Sequence, residues 1–112
     1  MKWIARTNGF DPDTKKILEI SQHFLVSEFG HPEPEAIELL DRLLAEYGNI
    51  YDEDFIHYES SYGVAAAAHY FGTLGGTPAT LRNWRHEAGL VGTPAGALEY
   101  FRKHYFQHPS PR

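Results

Sequence analysis

Apolar positions recur at steps of three and four residues in five stretches of the chain, the spacing that gives a helix one oily face. The first stretch opens at Asp11, an N-capping residue, with Pro12 in the first turn, and closes at Gly30; Ile17, Ile20 and Phe24 form its apolar face, widened by Leu18 and Leu25. The second starts near Glu33-Pro34-Glu35 and ends at Gly48, with Ile37, Leu40, Leu44 and Tyr47 on one side. Its acidic first turn suits the positive end of the helix dipole. The third runs from about Asp52 to Gly72 and carries Phe55, Tyr58, Tyr62, Ala65 and His69 on one stripe. Ala65 to Ala68 favour helix and close approach of a neighbour, while Gly63 is the expected place for a break into two shorter helices.

The last two stretches open alike. Thr77-Pro78 and Thr93-Pro94 each place a capping hydroxyl before a first-turn proline. Gly89 ends the fourth, and the tail from His108 to Arg112, with Pro109 and Pro111, ends the fifth. Residues 1–10 are expected to be a short extended segment from which Trp3 and Ile4 pack on the helices. No hairpin signal, linker or low-complexity segment divides the chain. The expected fold is therefore all-α: a single helical domain over 1–112, a compact bundle of about five short helices.

Composition narrows the function classes. The 112 residues are 42% hydrophobic and 14% aromatic, enough for one core. The absence of cysteine removes disulfides, thiolate metal sites and thiol nucleophiles, and leans toward the cytoplasm. The longest apolar run, Val64 to Ala68, is too short to cross a bilayer, and the first residues do not resemble a signal peptide; no membrane association is expected.

The net charge of −5 is unevenly spread. Residues 1–72 carry five Lys and Arg against thirteen Asp and Glu, a balance of −8; residues 73–112 carry five against two, a balance of +3. His86, His104 and His108 lie in the basic part and can add charge below neutral pH. Halves of opposite sign suggest two partners, or self-association into a homodimer.

The basic part contains the sharpest functional lead. From Gly76 the chain reads Gly-Thr-Pro-Ala-Thr-Leu-Arg-Asn-Trp-Arg-His-Glu-Ala-Gly-Leu-Val, with Leu81, Trp84 and Ala88 on the inward face. This segment resembles the recognition helix of helix-turn-helix DNA-binding domains, of the mercury-resistance regulator type and the phage and transposase type. The resemblance covers about sixteen residues, and the turn Thr73 to Gly76 is longer than such motifs use. It implies a regulator that binds double-stranded DNA. Arg82 and Asn83 would read base edges, Thr77 and Thr80 would hold phosphates, and Arg85 and His86 would touch the backbone.

The acidic part supports a different reading. Tyr51, Tyr58 and Tyr62 with Glu59 suit a protein-interaction module, of the inhibitor or immunity type, that caps a basic protein partner. Other chemistry is poorly supported. His104 and His108 share metal-ligand spacing at a frayed helix end, and Glu53 and His57 share it without matched carboxylates on other helices. Gly72 to Thr77 lacks the lysine of a phosphate-binding loop, and Ser60-Ser61 beside His57 and Glu59 lack a nucleophile elbow. No metal, no cofactor and no enzymatic activity are expected.

Overall fold

In the computed structural model, which describes residues 9–106, the chain forms five helices: α1 (Pro12–Ser27), α2 (Glu33–Tyr47), α3 (Glu53–Thr73), α4 (Pro78–Ala88) and α5 (Ala95–Tyr105). No strand occurs among the described residues, and none of their helices is long and apolar enough to cross a membrane. The expected extended segment with Trp3 and Ile4, and the tail with His108, lie outside the described residues.

The second half of α3 is the axis of the fold. Every residue from Ser61 to Ala68 is buried, so this stretch has no solvent face. The four alanines let α1 and α2 approach closely, bringing Leu18, Phe24, Leu25, Leu40 and Leu43 into one core. Two hydroxyls, from Ser21 and Ser61, donate to the carbonyl of Ile17 at 2.8 and 2.7 Å, which satisfies both buried polar groups while tying α1 to α3. The glycine of the α1–α2 turn, Gly30, takes φ +76°, and His31 N–H closes the helix end on Leu25 O.

Three expectations are corrected. The break in α3 falls at Ser60, not Gly63: Ser60 has φ 63° and ψ −180°, a region that side chains strongly disfavour. The chain therefore changes phase between Tyr58 and Tyr62, and the single apolar stripe expected through both does not exist. Gly63 stays helical and instead leaves space for Glu59, whose Cβ and carboxylate would lie 3.3 Å from a Cβ at that position.

The repeated Gly-Thr-Pro-Ala is also used in two ways. Thr77 is the N-cap of α4, and its partner in the cap is Thr80 three residues on. In the second copy Gly96 stands where Thr80 stood, no hydroxyl can reciprocate, and Pro94 rather than Thr93 occupies the cap position. Finally, Ala88 is exposed rather than inward-facing, because α4 lies on the edge of α3 and buries none of its residues.

Candidate functional site

Helix α4 is attached to the body through Tyr70. The Tyr70 carbonyl accepts from Leu74 N–H and Gly76 N–H, both at 3.1 Å, which folds the turn back on α3. Its ring lies under Gly76, where a Cβ would come within 2.1 Å, and stacks on Trp84 at a centroid distance of 4.5 Å. Its hydroxyl is hydrogen bonded to Thr80 Oγ1 at 2.5 Å. Tyr70 thus fixes the turn, the first turn of α4 and its apolar face together.

The opposite edge of α4 is held by Arg85. Its Nη1 donates to Glu59 at 3.3 Å, its Nε to Leu90 O at 3.1 Å and its Nη2 to Val91 O at 3.2 Å. Both charged side chains are largely covered, 16% and 14% exposed, so the pair forms a neutral, immobile base. Glu59 immediately precedes Ser60, where the backbone departs from helix.

Between these supports the first part of α3 and α4 enclose an open cleft of about 450 Å³, within the size range of small-ligand and peptide sites. Its lining combines apolar Pro78, Leu81 and Val91 with Tyr58 from α3 and Arg82 and His86 from α4. Tyr58 is 81% exposed and Val91 51% exposed, unusual for side chains of that size.

Part of each set singled out in the sequence meets at the cleft, Arg82, Arg85 and His86 from one and Tyr58 and Glu59 from the other. Thr77, Thr80, Asn83, Tyr51 and Tyr62 are not in its lining. Arg82, Asn83 and His86 are exposed, with no hydrogen-bond or ion-pair partner among the described residues. Arg85 is not a free phosphate contact, because its guanidinium is spent on Glu59 and two carbonyls. Thr77 and Thr80 are exposed, but their hydroxyls face one another at 3.2 Å in the helix cap. Of the three candidate tyrosines only Tyr58 is exposed; Tyr51 is 2% exposed and Tyr62 4%. Burial pushes both hydroxyls up from the ordinary tyrosine value, with Glu59 adding to the effect at Tyr51 and Glu28 at Tyr62. Glu59 itself is neutralised by Arg85.

Sequence reasoning missed Val91 and Pro78 as cleft residues, and it missed the histidine pair beneath α4. His31 Nδ1 meets Glu35 at 2.5 Å and its Nε2 meets His69 Nδ1 at 2.8 Å, joining the α1–α2 turn, α2 and α3. His69 also stacks on Phe29 at 4.9 Å and lies 6.1 Å from Trp84. Burial, and then the facing His31, hold His69 below the ordinary histidine value. Thirty-eight residues separate the two histidines, and no local spacing reveals such a pair.

The metal-ligand spacings do not converge. Glu53 accepts from Asp11 N–H at 2.7 Å, while His57 Nε2 is engaged with Thr14 Oγ1 at 2.8 Å. His104 stacks on Tyr100, and His108 is outside the described residues. Among the described residues no group of three His, Asp or Glu could hold a metal ion. The chain matches no protein-family model, no curated protein and no solved structure.

Proposed function

We propose that this chain is a non-enzymatic protein-interaction module, working in the cytoplasm, that receives a segment of a partner protein in the cleft between α3 and α4. The observation that carries this reading is the exposed apolar surface gathered on a rigid base: Tyr58, Leu81 and Val91 surround a cleft whose floor is fixed by the Glu59–Arg85 pair. Interfaces concentrate their energy in such aromatic anchors beside held, desolvated polar groups. The strained backbone at Ser60, directly after Tyr58 and Glu59, supports the same reading, since strain of this kind clusters at functional sites.

Charge arithmetic separates this reading from DNA binding. With Arg85 paired, Arg82 is the one Lys or Arg of α4 free of an ion pair. One or two phosphate contacts would give a salt slope of about −1 to −2, whereas tight duplex binders make roughly six to ten such contacts. Asn83 and Arg82 are exposed and could touch bases, but nothing beside them holds the helix to a backbone.

Affinity capture from the native host, with the chain and its Tyr58→Ala/Val91→Ser variant as baits, tests the proposal. The expected result is a partner retained by the parent chain and lost by the folded variant. Equal capture by both would overturn it, as would a sequence-dependent duplex shift abolished by Arg82→Ala.

A further inference from the structure

We propose that the segment received by the cleft is acidic and carries at least one apolar side chain; this rests on the interaction reading above and gives it a partner chemistry. The argument is charge complementarity over a neutralised floor. From α3 the groups facing the cleft are Tyr58 and Glu59, and the one carboxylate there is cancelled by Arg85. Arg85 also donates from Nε to Leu90 O and from Nη2 to Val91 O, so three of its five N–H groups are engaged and its charge is balanced by Glu59.

What is left over is one fixed positive charge, on Arg82, with the imidazole of His86 beside it. Arg82 and His86 stand one turn apart on α4, both exposed, and no carboxylate is paired with either among the described residues. Residues four apart on a helix face present their side chains side by side, so the two can address one carboxylate or two neighbouring ones. Arg82 offers a planar fork that matches a carboxylate, and His86 adds a second N–H donor. Below this edge lie Leu81 and Val91, which take an apolar side chain, and Tyr58 can close over it.

Arg82, like Lys15, Arg102 and Lys103, has no ion pair among the described residues, and it is the one of these four in the lining of the cleft, beside the exposed ring of Tyr58. A basic segment would meet Arg82 with no free carboxylate in the lining of the cleft to compensate, since Glu59 is paired with Arg85. This reverses the polarity that the acidic, tyrosine-rich sequence suggests.

The test uses three fluorescein-labelled peptides of equal length with the same leucines, whose polar positions are all Glu, all Lys or all Ser. Binding to the full chain is read by fluorescence anisotropy at low and moderate salt. The Glu peptide is expected to bind at least tenfold more tightly than the Lys peptide. Arg82→Glu should reverse that order, and Val91→Ser should weaken the Glu peptide severalfold. Arg82 and Val91 are exposed, and circular dichroism and thermal melting verify that both variants fold.

A Lys peptide bound as well as the Glu peptide, or an order unchanged by Arg82→Glu, overturns the inference. So does concentration-dependent self-association, read by sedimentation and lost in Arg82→Glu, because the occupant is then a second copy. The interaction reading is judged separately by the capture experiment: a host partner that still depends on Tyr58 and Val91 preserves it even if the Glu peptide fails. If the Glu peptide binds but ignores Val91→Ser and Tyr58→Ala, the cleft is not its site and the inference falls.

Discussion

Replacing Ser60 with glycine should stabilise the protein. At φ 63° and ψ −180° Ser60 occupies backbone space open almost solely to glycine, at a cost of about 1–3 kcal/mol. The Ser60 side chain makes no hydrogen bond among the described residues, so its removal forfeits no polar contact. Against the relief stands the added freedom of glycine in the unfolded chain, about 0.5–1 kcal/mol. The difference is a net gain of about 1 kcal/mol, which for a domain of this size raises Tm by about 4 °C. Ser60→Ala is the control. It keeps the Cβ that makes the conformation costly, so its Tm should stay near that of the parent. Thermal melting followed by circular dichroism gives both Tm values, and urea unfolding gives the free energies, with an unchanged m-value as evidence that the surface exposed on unfolding is the same. A Ser60→Gly variant less stable than Ser60→Ala would refute the reasoning, because relief of backbone strain could not then be the leading effect.

Further outcomes follow from the same contacts. Arg85→Ala removes three hydrogen bonds and strands Glu59, so it should destabilise by about 2–3 kcal/mol, with Glu59→Gln in the same chain recovering part of the loss in a double-mutant cycle. Gly76→Ala drives a methyl into the Tyr70 ring and should cost about 1–3 kcal/mol while shifting Trp84 fluorescence, since both rings must move apart. Acid should also weaken the fold. His69 and His23 are held below the ordinary histidine value, so the folded state binds fewer protons than the unfolded state once pH falls below about 6.5. Stability should therefore drop as pH falls from 7 toward 5, and His69→Phe should flatten that slope; a variant with the parent's pH dependence would count against it.

The helices were legible because each repeats a local rule many times. Caps at Asp11, Asp52 and Thr77 and periodic apolar positions placed α1, α3 and α4 to within a residue or two at their starts. Where one residue decided the matter, local rules misled. Gly63 carries the composition of a breaker but sits in helix with Glu59 packed where a Cβ would stand, while the break falls at Ser60, a residue with no local signal for it. The site was legible only as two separate halves. Arg85 has the look of a surface cation until Glu59, 26 residues away, and the carbonyls of Leu90 and Val91 surround it. Tyr51 and Tyr62 were indistinguishable from Tyr58 in sequence, since burial of a tyrosine depends on which neighbours arrive.

The contrast between α3 and α4 bears on how this molecule can change over generations. The central stretch of α3 touches protein on every side, so almost any substitution there is a packing substitution, and selection for folding alone must hold it nearly constant. Helix α4 has no fully buried residue and is held to the body mainly through Tyr70, Trp84 and Arg85. Its remaining positions can vary at little thermodynamic risk. Descendants of this chain can therefore exchange one partner for another by drifting at Arg82, Asn83 and His86, with the scaffold beneath left untouched.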